Sequence, residues 1–248
     1  MESRAQTYVD RGHARIWNRW IERRWSAFTG VTVSIAQAGP EVEWAAGRGA
    51  EFAVATERGV WGPMDLGEIE WSEECTASAA TLVSRRFAAD LELVTRTTAF
   101  HEAPGLVRAV TLRNTSPAPL EVGRVATDSF RVAGDGLRVY VRGFAERHDA
   151  IAWRTDERAA AVVCPDERGD RGLFIGQEAE GVLELLAPEP GVCACVVDVD
   201  GTLDPGEALE LPASYVVPFS GEVMMASVSV LAQLLAARRA TAQTRDRF

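Results

Sequence analysis

Three histidines, His13, His101 and His148, are the side chains of this 248-residue chain that ordinarily titrate near neutrality. His101 precedes Glu102, and His148 sits between Glu146-Arg147 and Asp149. A histidine with a carboxylate partner can serve as general acid and base. His101 and His148, with Glu102 or Glu146, therefore form one candidate constellation, and the same residues also read as polar turn positions. The densest polar stretch, Arg142-Gly143-Phe144-Ala145-Glu146-Arg147-His148-Asp149, carries donors and acceptors suited to hydroxyl groups, with Arg able to bind in a fork. Its competing reading is an ion-pair network on a solvated loop. Trp44, Trp61, Trp71 and Trp153 fall in strand-rich sequence. An exposed indole can stack on the apolar face of a sugar ring. Trp61, in Val60-Trp61-Gly62-Pro63, is the most loop-like, and Trp71 follows it closely; packing is the alternative for both.

Other chemistries are excluded by composition. All 26 basic residues are Arg, so no Schiff base, P-loop lysine or lysine general base exists in this sequence. The net charge of -10 argues against nucleic acid as main partner, because phosphate neutralisation needs a basic surface. Cys75, Cys164, Cys193 and Cys195 form no Cys-x-x-Cys and read as buried free thiols. No Gly-x-Ser-x-Gly elbow, Gly-rich phosphate loop or calcium loop is found, so no cofactor, metal or catalytic residue is assigned. The sequence around Met1–Gly12 has no apolar signal region and no run approaches membrane-spanning length, which makes a cytoplasmic location the expectation and a membrane partner unexpected.

The elements that must position these residues read as strands. Leu137, Val139 and Val141 alternate with Arg138, Tyr140 and Arg142, and Leu106, Val110 and Leu112 share a face with Arg108. Turn residues separate the strands at Ala103-Pro104-Gly105, Gly134-Asp135-Gly136, Asp166 to Gly172 and Asp204-Pro205-Gly206. The pattern predicts an all-β sandwich of mainly antiparallel sheets over residues 1–220. A C-terminal helix is predicted over 221–248, with Met224, Val228, Leu231 and Leu235 in one stripe. His13 is expected in a frayed N-terminal segment. The run Ile16 to Trp25 fits a helix by periodicity and a strand by its tryptophans and isoleucines.

In order and spacing, several of these segments resemble the N-terminal β-supersandwich domain of the α-galactosidase family (glycoside hydrolase family 36), which has a galactose-mutarotase-like fold. Asn18 to Trp25 resembles the opening strand of that domain, and Ala50 to Val54 the next apolar strand. Ala99-Phe100 to Arg113-Asn114 is similar to its hairpin ending in Arg-Asn, and Val141 to Arg147 to the segment that follows. Leu203-Asp204-Pro205-Gly206-Glu207, then Pro212 and Tyr215 to Val217, resemble the strand pair near the domain's end. The resemblance spans about residues 14–240. It implies a fold of two large antiparallel sheets and a strand at Asn18–Trp25.

The family's nucleophile, the Asp of a Lys-Trp-Asp motif on a separate barrel, has no counterpart: there is no Lys, and no Trp is followed by Asp. A barrel needs about 200 or more further residues. The resemblance therefore implies a non-catalytic carbohydrate-binding or accessory domain, with Trp61, Trp71, Arg142, Glu146, Arg147 and His148 as candidate sugar contacts. One alternative is a mutarotase or epimerase using His101 or His148. Another is a structural domain that forms a homo-oligomer or joins a separate catalytic chain.

Overall fold

The computed structural model describes residues 4–37, 42–45, 51–131, 138–141, 145–147, 153–155, 160–164, 171–177, 182–186, 192–220 and 232–240. Five strands form an N-terminal sheet in chain order: β1 (Gln6–Val9), β2 (His13–Trp17), β3 (Ile21–Ser26), β4 (Thr32–Gln37) and β5 (Val42–Glu43). The next group is β6 (Glu51–Thr56), β7 (Gly59–Trp61), β8 (Ile69–Cys75), β9 (Ala79–Phe87), β10 (Leu91–Phe100), β11 (Leu106–Asn114) and β12 (Leu120–Arg131). Then come β13 (Arg138–Val141), β14 (Ala145–Arg147), β15 (Trp153–Thr155), β16 (Ala160–Cys164), β17 (Arg171–Gln177) and β18 (Val182–Leu186). The last strands are β19 (Val192–Leu203), β20 (Ala208–Glu210) and β21 (Ser214–Ser220). They build a ten-stranded sheet, β14-β13-β16-β17-β21-β11-β10-β9-β8 with β20 on β11, and a six-stranded sheet, β15-β18-β19-β12-β6-β7. The described pairings are antiparallel, as the alternating pattern predicts. The two large sheets are the predicted supersandwich; the N-terminal sheet is an addition to it.

The run Ile16 to Trp25 is neither a helix nor one strand. It is the hairpin β2–β3, broken at Asn18, whose Oδ1 accepts from the N–H of Trp20 (3.0 Å) and of Ile21 (3.1 Å). Asparagine favours such turns because its side chain mimics the next backbone carbonyl. Its Nδ2 donates to the carbonyls of Phe100 (3.3 Å), Ala103 (3.1 Å) and Gly105 (3.4 Å), which tethers the N-terminal sheet to the β10–β11 turn. That turn needs glycine at position 105: φ is 95°, and a Cβ there would lie 2.8 Å from the carbonyl of Val216. His13 is not frayed; it opens β2, and its N–H is held by Asp10 Oδ1 (2.7 Å). At the other end of β11, buried Asn114 donates to the carbonyls of Ala118 (2.8 Å) and Leu203 (2.9 Å), closing the Arg-Asn end of the hairpin onto the Asp204–Gly206 turn.

Two apolar cores lie between the layers. One gathers Ile16, Ile21, Trp25, Leu82, Leu106, Phe130 and Val216; the other gathers Phe52, Val54, Leu93, Val110, Leu112, Leu120 and Val125. A third cluster, on the opposite face of the ten-stranded sheet, joins Phe100, Val107, Tyr215 and Val217 to Leu234 of a helix over 232–240. β21 is buried on both faces as a result. Of the predicted stripe, only Leu235 lies among the described residues; it is half-buried, and the preceding Leu234 is the one that packs. Among the described residues no helix is long and apolar enough to cross a membrane.

Replacing Asn18 by Ala leaves three buried carbonyls without their donor. We expect a loss of about 1–3 kcal/mol, read as a lower urea midpoint at unchanged slope.

Candidate functional site

Between the two cores runs a belt of polar side chains, supplied by all three sheets. On β3, Ile21, Arg23 and Trp25 share the inward face, which puts a guanidinium in phase with core residues. On β11 the same alternation turns Arg108 inward between Leu106 and Val110. Glu51 breaks parity with its neighbour: Phe52 faces the core, and Glu51 is buried as well because its φ of 57° swings it inward. Such a backbone costs a non-glycine residue roughly 1–2 kcal/mol and persists only where surroundings over-determine it. On β12, register shifts between Val122 and Arg124 and between Ala126 and Asp128 rephase the strand so that Asp128 is buried.

These four charges form one continuous line of ion pairs, Asp128–Arg23–Glu51–Arg108. Arg23 binds Asp128 with both ends of its fork, Nη2 to Oδ1 (2.7 Å) and Nη1 to Oδ2 (3.0 Å), and its Nε donates to Thr32 Oγ1 (3.0 Å). Glu51 Oε1 accepts from Trp25 Nε1 (2.7 Å), from Arg23 Nη2 (3.3 Å) and from Arg108 Nη1. Its Oε2 accepts from the Thr32 N–H (2.9 Å) and from Thr32 Oγ1 (2.5 Å). Burial pushes the Glu51 carboxyl up, but Arg108, Arg23 and the hydrogen bonds from Thr32 and Trp25 outweigh it and hold the pKa at about 2. Burial lowers the pKa of Arg23, and Asp128 and Glu51 together raise it above the usual arginine value. A carboxylate held so far below neutrality binds and orients; it does not exchange protons as a general base would.

Beside the network lies a narrow cleft of about 10 Å³, room for about one water molecule, lined by Trp25, Glu51, Trp71, Ser84, Arg86, Thr95, Thr97 and Arg108 among others. The turn between β3 and β4 borders it. Trp71 Nε1 donates to the Ala27 carbonyl (2.9 Å), and Arg86 donates to the carbonyls of Thr29 and of Pro63 (2.9 Å to the latter). Burial lowers the pKa of Arg86 to about 10; Glu51 opposes this and Arg108 adds to it. A second, open groove of about 380 Å³ sits at one end of the six-stranded sheet, lined by Thr56, Glu57, Glu121, Asp200 and Thr202 together with Ala55, Val122, Gly123 and Gly201. Trp61 Nε1 donates to Thr56 Oγ1 (3.2 Å), which places the indole next to this groove.

The candidates read from the sequence do not converge. Trp61 is on β7, an edge of the six-stranded sheet, and is half-buried against its core. Trp71 is on β8, an edge of the ten-stranded sheet, tilted at 46° to Trp25 with ring centroids 6.3 Å apart. Glu146 and Arg147 are on β14, at the opposite edge of that sheet from Trp71. Arg142 and His148 lie outside the described residues. His101 Nδ1 accepts from the Ala5 N–H (3.0 Å), so in the neutral ring the proton sits on Nε2. Of the two cysteines with described side chains, Cys195 is buried as expected, whereas Cys75 is exposed, because β8 is an edge strand with one face to solvent. Arg23, Glu51, Arg86, Arg108 and Asp128 lie outside the candidates that the sequence offers. The available signal was a charge in phase with apolar neighbours, in Ile21-x-Arg23-x-Trp25 and Leu106-x-Arg108-x-Val110.

No protein-family model matches this chain, and a comparison with curated proteins finds no match. Solved structures do match. A galactose mutarotase-like protein from Lactobacillus casei superposes with a TM-score of 0.57 at 11% identity, covering 84% of this chain and 100% of its own. The galactosidase domain of an α-galactosidase–sucrose kinase gives a TM-score of 0.67 at 8% identity, over 88% of this chain and 42% of its own. A glycoside hydrolase family 36 α-galactosidase from Geobacillus stearothermophilus, in complex with stachyose, gives 0.62 at 11% identity, over 88% and 41%. The fold is the galactose-mutarotase-like supersandwich. This chain spans about two fifths of the length of the two α-galactosidase structures. At these identities the likeness concerns the fold, and the residues that do chemistry must be argued from this chain alone.

The network makes two predictions. Glu51→Gln strips Arg23 and Arg108 of a shared buried partner and should lower stability by about 3–5 kcal/mol in chemical unfolding. The folded-state pKa of Glu51 lies below its unfolded value, so its stabilisation is complete above about pH 4.5 and is lost as pH falls toward about 2. Melting temperature plotted against pH should fall across that window, and the fall should be shallower in Glu51→Gln.

Proposed function

We propose that this chain is a non-catalytic carbohydrate-binding or accessory domain, with its sugar contacts in the groove beside Trp61. The observation that carries this reading is the groove itself. Its volume of about 380 Å³ falls within the range of small-ligand sites, and it combines Glu57, Glu121, Asp200, Thr56 and Thr202 with a neighbouring indole. Carboxylates accept from sugar hydroxyls, threonine hydroxyls both donate and accept, and an aromatic face matches the apolar side of the ring. One of the solved structures named above is an α-galactosidase in complex with stachyose and another is a galactose mutarotase-like protein, which supports a sugar as the ligand class.

A mutarotase is the weaker reading on this geometry. Glu51 is held out of the acid–base range, and His101 spends Nδ1 on the Ala5 backbone. An accessory domain also needs a protein partner, a separate catalytic chain or a second copy, and the exposed Phe28, Val60 and Met64 offer apolar contact for either.

Titration with galactosides, glucosides and free aldoses, following heat by calorimetry and anomer ratio by NMR, separates these readings. Saturable binding without conversion is expected, with Asp200→Asn weakening it about tenfold, the size of one lost hydrogen bond to a charged group, and Trp61→Ala weakening it through the lost aromatic face. Accelerated anomer exchange would replace this reading by a mutarotase, and absence of saturable binding across the panel would remove sugar from the function.

A further inference from the structure

The polar belt is unbalanced in charge. Among the described residues it contains three buried guanidiniums, Arg23, Arg86 and Arg108, and two buried carboxylates, Glu51 and Asp128. Arg23 is matched by Asp128, and Glu51 is shared between Arg23 and Arg108. Arg86 is the surplus: the carbonyls of Pro63 and Thr29 take its hydrogen bonds but carry no countercharge. The ring of Phe52, with the guanidinium 5.3 Å from its centroid, adds only weak attraction. Arg108 has a second deficiency. It is 4% exposed, its Nη1 is committed to Glu51, and its Nε has no hydrogen-bond partner among the described residues. A buried donor of a charged group left unpaired is costly, and so is an uncompensated buried charge.

Both deficiencies meet in one place. Arg86 and Arg108 line the same cleft, whose remaining space accommodates one water-sized species. Strand register places hydroxyls around it: Ser84 stands opposite Thr95, and Thr97 stands opposite Arg108. We propose that the floor of this cleft, between Arg86 and Arg108, is a binding site for one small monovalent anion of chloride or bromide size. The anion accepts the Arg108 Nε–H and the hydroxyls of Thr95 and Thr97, and it supplies the countercharge that Arg86 lacks. A neutral water satisfies the Nε–H but leaves the charge. Sulfate, phosphate and organic acids exceed the space. Burial lowers the Arg86 pKa to about 10, in keeping with a cation short of countercharge. The site is separate from the groove beside Trp61 and holds whether or not a sugar binds there.

The test uses the intact chain at constant ionic strength, with sodium gluconate replaced stepwise by sodium chloride or bromide. The melting temperature should rise with halide, growing with the logarithm of its concentration above the dissociation constant and reaching about 3–6 °C at ten times that constant. Crystals soaked in bromide should show an anomalous peak within hydrogen-bond distance of Arg108 Nε. Arg86→Met removes the surplus charge and should abolish the halide dependence, while its melting temperature in gluconate falls with the loss of the hydrogen bonds to Thr29 and Pro63. Equal melting temperatures in halide and gluconate with no bromine peak, or a halide response that survives in Arg86→Met, would overturn the proposal. If that variant does not fold, the bromine peak in the unmodified protein decides.

Discussion

The bidentate pair between Arg23 and Asp128, extended through Glu51 to Arg108, joins strands from three different sheets in the buried interior. Arg23 belongs to the N-terminal sheet, Arg108 to the ten-stranded sheet, and Glu51 and Asp128 to the six-stranded sheet. Apolar packing alone would let such layers slide, because it is non-directional. A guanidinium fork meeting a carboxylate has one good geometry. Taking these ions from water carries a large desolvation penalty, and their mutual attraction does no more than offset it, so the network is better read as setting register between the sheets than as a net source of stability. The strained φ of Glu51 and the irregular register of β12 both follow from it, since each is what brings a carboxylate to the joint.

The belt also divides the interior. Apolar residues on one side of it form the core under β2, β3 and Phe130, and those on the other side form the core under β6 and β12. Two further buried polar residues, Asn18 and Asn114, clamp opposite ends of the β10–β11 hairpin through their side-chain amides. The hairpin is thus fixed at both ends by hydrogen bonds and in its middle by Arg108. Positions that look like turn chemistry in the sequence are long-range connectors in the fold, spanning 85 residues from Asn18 to Ala103 and 89 from Asn114 to Leu203.

That arrangement bears on function. The centre of the molecule carries charge but not acid–base chemistry, because its carboxylate is saturated with donors and held ionised. Open to solvent among the described residues is the acidic, hydroxyl-lined groove at the end of the six-stranded sheet. A supersandwich serves enzymes and non-enzymatic domains alike, so the fold sets the scaffold and the groove must carry the argument for a ligand.

The all-β class, the antiparallel pairing and most turns were legible in the sequence, because alternation of apolar residues and the placement of Gly, Pro, Asn and Asp are local consequences of strand and turn geometry. Trp61 and Trp71 were legible as aromatic candidates by type, but not as residues of two separate sheet edges. Arg23 and Arg108 carried a readable sign, a charge in phase with core positions. Glu51 and Asp128 did not: a left-handed residue and two register shifts break the period that sequence reasoning relies on, and both exist only because distant guanidiniums hold them. The sequence by itself determined the elements and their faces, since those depend on neighbours along the chain. The tertiary structure alone decided which charges meet, which indole borders a groove and which arginine lacks a countercharge, because each depends on side chains from different sheets.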